Sequence, residues 1–221
     1  MFDFLYAFFN AVVLLFLFLW ESLFFFFSLP LWRLRWLFFS HYFLTRYWTF
    51  FRKLSRSPER PLQDFIYSET PFWTARKIFL WCQLKNGDVV WDLGCGRGMF
   101  LFFYALYFKA QCVGVEISPL FVRVGKLICK KLNLTQILWV EGDFLSIDFS
   151  TLPKPNLVYV ASTTFSWETI QALTRRLETL PQGTKVVSLS TRLPSKAFKE
   201  IDKKELYFSW GKATAHLQEK T

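Results

Sequence analysis

The segment that decides the fold is Val89-Val90-Trp91-Asp92-Leu93-Gly94-Cys95-Gly96-Arg97-Gly98. An apolar burst ends at Asp92, three glycines follow on alternate positions, and the apolar run Met99 to Phe108 comes next. This order predicts a strand, a tight turn and a helix. Glycine suits such a turn because it adopts positive φ without penalty and lets a ligand approach the backbone closely. The first N–H groups of the following helix are then expected to face that ligand.

The spacing of the glycines narrows the kind of ligand. They form G-x-G-x-G behind the acidic residue Asp92, whereas NAD and FAD sites carry G-x-G-x-x-G. This pattern indicates an S-adenosylmethionine (SAM) loop, with Asp92, Gly94, Gly96 and Gly98 as cofactor-binding residues. A second apolar strand ends at Glu116, 24 residues after Asp92, which is about the length of one strand–helix–strand unit. An acid at that place can accept hydrogen bonds from both ribose hydroxyls, so Glu116 is predicted to bind the ribose.

The third predicted strand supplies the adenine end of the same site. Residues 137–140 form a short apolar run, which Asp143 and Phe144 follow. The Asp143 carboxylate can accept a hydrogen bond from the exocyclic amine of adenine, and the Phe144 ring provides apolar contact.

The remaining elements predict an α/β fold. Helices are expected over 72–84, 119–132 and 167–180, with further strands over 156–161 and 184–190. Two last strands, 205–210 and 213–219, are joined by Gly211-Lys212, which indicates an antiparallel hairpin. The chain is therefore expected to form the Rossmann-like seven-strand methyltransferase sheet that ends in an antiparallel β-hairpin. The loop 162–167 follows the fourth strand, where ligands bind in open parallel sheets, and is expected to meet the methyl acceptor.

The N-terminal part has a different composition. Fifteen of the 28 phenylalanines lie in the first 51 residues, and no charge occurs from Phe4 to Trp20. This run predicts a retained transmembrane helix rather than a cleaved signal peptide, because no basic region precedes it and no Ala-x-Ala follows. Residues 31–54 mix aromatics with arginine and predict a second helix. That helix either lies in the membrane interface or pairs with the first as a hairpin.

Charge and composition complete the domain plan. Residues 33–60 carry seven Lys and Arg against Glu59 alone, within a net charge of +10. By the positive-inside rule, the C-terminal part faces the cytoplasm, or the equivalent side of an organelle membrane, and the cations meet anionic lipid. Nucleic acid is accordingly an unlikely partner. The predicted divisions are a membrane anchor over 1–54, a linker over 55–64 and a catalytic domain over 65–221. Four scattered cysteines without C-x-x-C predict neither a metal site nor disulfides.

Short strings then indicate a family. Tyr67-Ser68-Glu69-Thr70-Pro71, Gly142 to Ser146 and Ser209 to Lys212 resemble the Y-G-E-T-S, G-D-F-L-S and S-W-x-G-K strings of telomeric-silencing-type histone-lysine methyltransferases. The hydrophobic N-terminus and the run Gly114 to Pro119 resemble membrane-anchored mitochondrial protein-lysine methyltransferases. Residues 65–219 are thus similar to a class I SAM-dependent methyltransferase. The silencing-type enzymes carry Asn-Asn where this chain has Ala161-Ser162.

The resemblance implies roles for individual residues. SAM would be held by the glycines, Glu116, Asp143 and Phe144, with Tyr67 as a further cofactor contact. Glu69 and Thr70 would fold over the methionine end and count as catalytic residues. A lysine acceptor has a pKa of about 10.4 and must lose its proton, which an apolar aromatic channel favours. Four residues are predicted either to line that channel or to belong to the core: Phe165, Trp167, Trp210 and His216. Of these, Phe165 and His216 are counted with Glu69 and Thr70 as catalytic residues.

Three functions remain open at this point. The first is a membrane-tethered protein-lysine methyltransferase with a protein substrate at or near the membrane. The second is a methyltransferase for a lipid-soluble small molecule such as a quinone precursor. The third is a SAM-fold assembly factor without catalysis.

Overall fold

The computed structural model describes residues 23, 28–42 and 69–221. The predicted span from Phe4 to Trp20, the linker 55–64 and the predicted cofactor residue Tyr67 lie outside them. In the described part of the chain, no helix combines the length and the apolarity that crossing a membrane requires.

Five helices and seven strands make up the described fold. The helices are α1 (Leu29–Tyr42), α2 (Phe72–Trp81), α3 (Met99–Tyr107), α4 (Pro119–Leu132) and α5 (Trp167–Leu177), with a 3₁₀ turn at Phe149–Thr151. The strands are β1 (Val89–Leu93), β2 (Gln111–Glu116), β3 (Ile137–Glu141), β4 (Leu157–Val160), β5 (Lys185–Leu189), β6 (Phe198–Phe208) and β7 (Gly211–Lys220).

One sheet contains all seven strands in the order β3-β2-β1-β4-β5-β7-β6. Strands β1 to β5 are parallel, and β7 runs antiparallel to both β5 and β6. The predicted Rossmann-like sheet with a terminal hairpin is therefore confirmed. The strand order reverses between β1 and β4, and ligands bind at the carboxyl ends of parallel strands beside such a switch point.

Serine caps mark the starts of two helices, at the residues where the sequence predicted that these helices begin. The Ser118 hydroxyl accepts a hydrogen bond from Phe121 N at the start of α4, and Ser166 does the same for Thr169 N at the start of α5. Other bounds differ from the prediction. Helix α2 ends at Trp81 rather than residue 84, because the chain turns there, with Gln83 at φ +52°. Strand β6 starts at Phe198 rather than residue 205, since its first half is a charged, exposed edge without alternation.

Helices cover both faces of the sheet. Helices α1 to α4 pack on one face, where Phe102 and Trp139 are buried, and α5 with the 3₁₀ turn packs on the other against Trp91. The Trp139 ring lies against two glycines, Gly98 and Gly125, and a Cβ at either one would collide with it. Tight packing of this ring therefore adds to the need for glycine at the turn before α3.

Helix α1 belongs to the core of the catalytic domain. Its side chains Leu31, Leu34 and Phe38 are buried, and the Phe38 ring meets Phe102 of α3 edge-on, with 5.6 Å between centroids. The helix packs on α3 and α4. The sequence did not predict this contact, because apolar and aromatic side chains surround α1 and leave no single apolar stripe.

Candidate functional site

The glycine loop lies between β1 and α3, where the strand order reverses. Gly94, Gly96 and Gly98 have φ values of +82°, +54° and +78°, all in the left-handed region. Residues other than glycine rarely adopt this backbone conformation. The predicted tight glycine turn is therefore found at all three positions. Gly98 N donates to Cys95 O at 2.8 Å, and helix α3 starts directly after it.

Glu116 holds this loop from the neighbouring strand. Its Oε2 accepts a hydrogen bond from Gly96 N at 2.7 Å, and its Oε1 accepts one from Ser118 N at 2.8 Å. Burial raises the pKa of Glu116, although these backbone N–H donors oppose the rise. Each carboxylate oxygen has a second lone pair for another donor. The predicted ribose residue thus also shapes the loop and the start of α4.

Asp92 is the second buried acid of the site. It lies at the end of β1 with 4 % of its surface exposed. Burial, and then the nearby Glu116 charge, raise the pKa of Asp92 well above its usual range. Two adjacent buried acids are a costly arrangement that is common at functional sites.

Phe144 and Phe165 meet beside the loop. Their rings stack with 5.5 Å between centroids, and a Cβ on Gly94 would be 3.8 Å from Phe144 and 3.9 Å from Phe165. The Asp143 carboxylate accepts a hydrogen bond from Leu145 N at 2.8 Å and so shapes the turn after β3. The structure therefore brings the predicted adenine residues and one predicted channel residue to the same end of the sheet.

The Glu69–Thr70 segment crosses the same end. Glu69 N donates to Ser209 Oγ at 3.0 Å, and Ser209 N donates to Glu69 O at 3.2 Å, across 140 positions of sequence. The Glu69 carboxylate accepts from Arg97 Nε at 2.8 Å and also binds Arg97 Nη2. Thr70 Oγ1 lies 2.7 Å from the Tyr159 hydroxyl. Two of the quoted strings and the glycine loop are thereby joined by direct hydrogen bonds.

Two other predicted channel residues, His216 and Trp167, have different surroundings. His216 on β7 places Nδ1 2.9 Å from Glu200 Oε1 on β6, and this hydrogen bond lowers the pKa of Glu200. No hydrogen bond or ion pair in the described part of the chain connects His216 to Glu69 or Phe165. Trp167 is 51 % exposed at the start of α5.

Trp210 occupies the turn between the last two strands. Its ring stacks on Phe208 with 4.7 Å between centroids. Its indole Nε1 is buried and has no hydrogen-bond partner among residues 23, 28–42 and 69–221. A buried donor without a partner is a rare feature, and it adjoins Ser209, which binds Glu69.

Three residues of this site were missed by the sequence analysis. Arg97 occupies a variable position of the glycine motif, so no sequence pattern predicted its ion pair with Glu69. Tyr159 is fully buried in β4 and stacks on Phe100 at 4.2 Å, while its hydroxyl binds Thr70. A tyrosine inside an apolar strand requires a buried partner, and this was the available signal. Ser162 donates to Leu189 O and accepts from Leu189 N, which joins the ends of β4 and β5.

These features fit SAM. Three left-handed glycines keep side chains away from the loop, and a buried carboxylate with free lone pairs stands at the end of β2. The stacked phenylalanines provide an apolar surface beside it.

Comparisons with known proteins agree with this geometry. The family described as histone methylation protein DOT1 matches residues 59–216. A protein-lysine N-methyltransferase of Saccharolobus islandicus is 28 % identical over 142 residues, which cover 63 % of this chain and 84 % of the relative. A sterol 24-C-methyltransferase of Eremothecium gossypii is 34 % identical over 67 residues, 30 % of this chain and only 18 % of the relative.

A solved structure shows the same fold. It is an RNA methyltransferase from Salinibacter ruber in complex with S-adenosyl-L-homocysteine, with a TM-score of 0.57 and 23 % identity. The likeness covers 68 % of this chain and 92 % of that one. The chain therefore belongs to the DOT1 histone methylation family and is a SAM-dependent methyltransferase.

Proposed function

We propose that this methyltransferase transfers methyl groups to protein lysine side chains and that it works at a membrane surface. One observation supports lysine as the acceptor: hydrogen bonds connect the Glu69–Thr70 segment to Ser209 and to Arg97 beside the glycine loop. That segment is the one whose string resembles lysine methyltransferases. The match to the relative named as a protein-lysine N-methyltransferase covers 84 % of that relative, which also supports lysine as the acceptor.

Different residues would bind the parts of SAM and orient its methyl group. Glu116, Asp143 and Phe144 would hold the ribose and the adenine, and the glycine loop would face the methionine part. When bound, SAM supplies a methyl group already activated by its sulfonium, so positioning matters more than acid–base catalysis. Glu69 and Thr70 are held in place by Arg97 and Tyr159 and would close the methionine end.

The acceptor amine must reach this end of the sheet in its neutral form. Apolar surroundings lower the pKa of a lysine because they disfavour the charged form. The Phe165 ring beside Gly94 provides such surroundings, and the buried Trp210 indole lies near the Glu69 segment. We assign Phe165 to the wall of the lysine channel.

The membrane part of the proposal is based on sequence. The uncharged run from Phe4 to Trp20 is long enough to span a bilayer, and basic residues follow it. Under this proposal, residues 1–54 bind lipid and the catalytic domain faces the cytoplasm or the equivalent side of an organelle membrane. The substrate is then a protein at or near that membrane.

The test uses the full chain in membranes with radiolabelled SAM and a membrane lysate. We expect label in a protein band, and mass spectrometry of that band should place the methyl group on lysine. The matched control is Gly96→Arg, which fills the loop at a left-handed position and should abolish labelling. Measured SAM binding without protein label would contradict the proposal.

A second candidate is methylation of a lipid-soluble small molecule. The 67-residue likeness to a sterol 24-C-methyltransferase favours it, and residues 31–54 would then form part of the substrate entry. In the same experiment this function predicts label in the extracted lipid and none in protein.

A further inference from the structure

Helix α1 has an outward face of unusual composition. Leu29, Trp32, Arg33 and Trp36 follow the i, i+3, i+4, i+7 spacing of one helix face and are all exposed. The exposed fractions of Leu29, Trp32 and Trp36 are 69 %, 40 % and 68 %. Tryptophan, leucine and arginine together are typical of a membrane–water interface.

Helix α4 exposes a basic face. Its inward side chains, such as Val124 and Ile128, are buried, while Arg123, Lys126 and Lys130 point to solvent. Leu127 lies among these cations and is 41 % exposed. The helix contains no Asp or Glu. Its outer surface is therefore positive, with an apolar centre.

The two faces adjoin and form one surface. Helix α1 packs on α4, and Lys131 Nζ of α4 lies 3.1 Å from His41 Nε2 of α1. Helix α1 contains no Asp or Glu either. We call the exposed side chains of both helices the α1–α4 surface: Leu29, Trp32, Arg33, Trp36, Arg123, Lys126, Leu127, Lys130 and Lys131.

We propose that the α1–α4 surface docks the catalytic domain onto an anionic lipid bilayer. This inference rests on the proposed membrane tether and adds a contact made by the folded domain itself. Cations without a carboxylate among them match anionic head groups, and interleaved tryptophan and leucine match the boundary of the acyl chains. Nucleic acid would match the cations but leaves the outward Leu29 and Leu127 without a role.

The position of the α1–α4 surface also supports binding to a lipid bilayer. The uncharged run that ends at Trp20 is separated from Leu29 by eight residues of sequence, so a tethered chain delivers α1 directly to the bilayer. Helix α4 packs on β2 and β3, at one edge of the sheet, and β6 forms the opposite edge. Docking through the α1–α4 surface therefore turns this face of the sheet, at its β3 end, toward the lipid, and β6 lies at the far end of the strand order.

An environment-sensitive thiol probe tests this orientation in the full chain. The native cysteines Cys82, Cys95, Cys112 and Cys129 are at most 8 % exposed, so an introduced surface cysteine can be labelled selectively. The test variant is Leu127→Cys and the control is Lys203→Cys on β6, each labelled with nitrobenzoxadiazole and reconstituted into phosphatidylcholine vesicles with or without phosphatidylserine. We expect a several-fold, blue-shifted rise in emission at position 127 when phosphatidylserine is present, and none at position 203.

A charge-reversal pair identifies the cause. In the labelled Leu127→Cys background, Lys126→Glu with Lys130→Glu should remove the rise. Lys199→Glu with Lys203→Glu makes the same charge change on β6 and should leave it intact. Vesicle flotation separates the two proposals. A protein that does not float overturns both the tether and the docking surface. A floating protein whose probe at position 127 behaves like the one at 203 overturns the docking surface alone.

Discussion

Two carboxylates border the glycine loop, and they are held in opposite ways. Glu116 is buried at the end of a central strand, and its carboxylate accepts hydrogen bonds from the backbone N–H groups of Gly96 and Ser118. Glu69 lies in a segment outside the sheet, with 25 % of its side chain exposed, and pairs with the Arg97 side chain. Main-chain donors therefore position the Glu116 carboxylate. The backbone of Glu69 is held by hydrogen bonds with Ser209, but its carboxylate is positioned by a side chain, that of Arg97.

The largest effect is expected from Glu116→Ala. Two buried N–H groups would lose their acceptor, and each loss costs about 1–3 kcal/mol. SAM affinity should fall roughly 100-fold or more, which corresponds to about 2.7 kcal/mol. Isothermal titration calorimetry with SAM measures the affinity, and Glu116→Gln, which keeps an acceptor, should lose less. A Kd within threefold of wild type would show that Glu116 does not hold the loop.

The loop itself comes next. Gly98→Ala should destabilise the fold by about 2–4 kcal/mol, because a left-handed residue gains a Cβ and that Cβ overlaps Trp139. Gly183→Ala is the matched control, since Gly183 has φ +82° and no atom within 4 Å of the added Cβ. Chemical denaturation gives both free energies of unfolding. Equal losses would mean that backbone strain alone matters and that Trp139 yields.

A smaller loss is expected for the Glu69 side. Arg97→Ala should lower kcat/KM about tenfold through loss of a charged, partly exposed hydrogen-bonded pair, a change worth about 1.4 kcal/mol. Arg97→Lys should recover part of it. A double-mutant cycle with Glu69→Gln tests whether the pair is the cause, and additive effects of the two substitutions would rule this out.

The pH dependence of stability and of SAM affinity tests the role of Glu116 directly. Burial raises the pKa of Glu116, so its folded form keeps a proton at a pH where an unfolded glutamate has lost it. Its contribution to stability therefore falls as pH rises from the unfolded to the folded pKa. The predicted ribose contact uses the ionised carboxylate, so SAM affinity should rise over the same window. Thermal unfolding and calorimetry of wild type and Glu116→Gln should show these opposite trends as differences; parallel trends would contradict the assignment.

The smallest effect is expected at His216. Its hydrogen bond goes to Glu200 on β6, and neither Glu116 nor Glu69 takes part in it. His216→Ala should leave kcat and KM within about twofold of wild type, because the hydrogen bond that it removes is the one to Glu200. Steady-state kinetics measures this, and a loss of tenfold or more would return His216 to the catalytic group that the sequence suggested.

The two carboxylates also differ in how well the sequence predicted their contacts. Glu116 was predicted because its place follows from local spacing within one strand–helix–strand unit. The link from Glu69 to Ser209 spans 140 positions, and only the folded chain brings these residues together. Arg97 and Tyr159 were missed because each serves a partner from a distant segment. His216 was grouped with Phe165 on sequence alone, whereas β7 directs it to Glu200.

Helix α1 shows the same division outside the site. A helix and its aromatic composition were predictable, but its burial against Phe102 was not. By itself, the sequence determined the alternation of strands and helices, the left-handed glycine loop and the cofactor class, because these depend on short-range spacing and on backbone sterics. Only the tertiary structure decided which side chains meet across the sheet and which face of α1 stays outside. Those outcomes depend on packing between segments that are far apart in the chain, and no local sequence pattern specifies such packing.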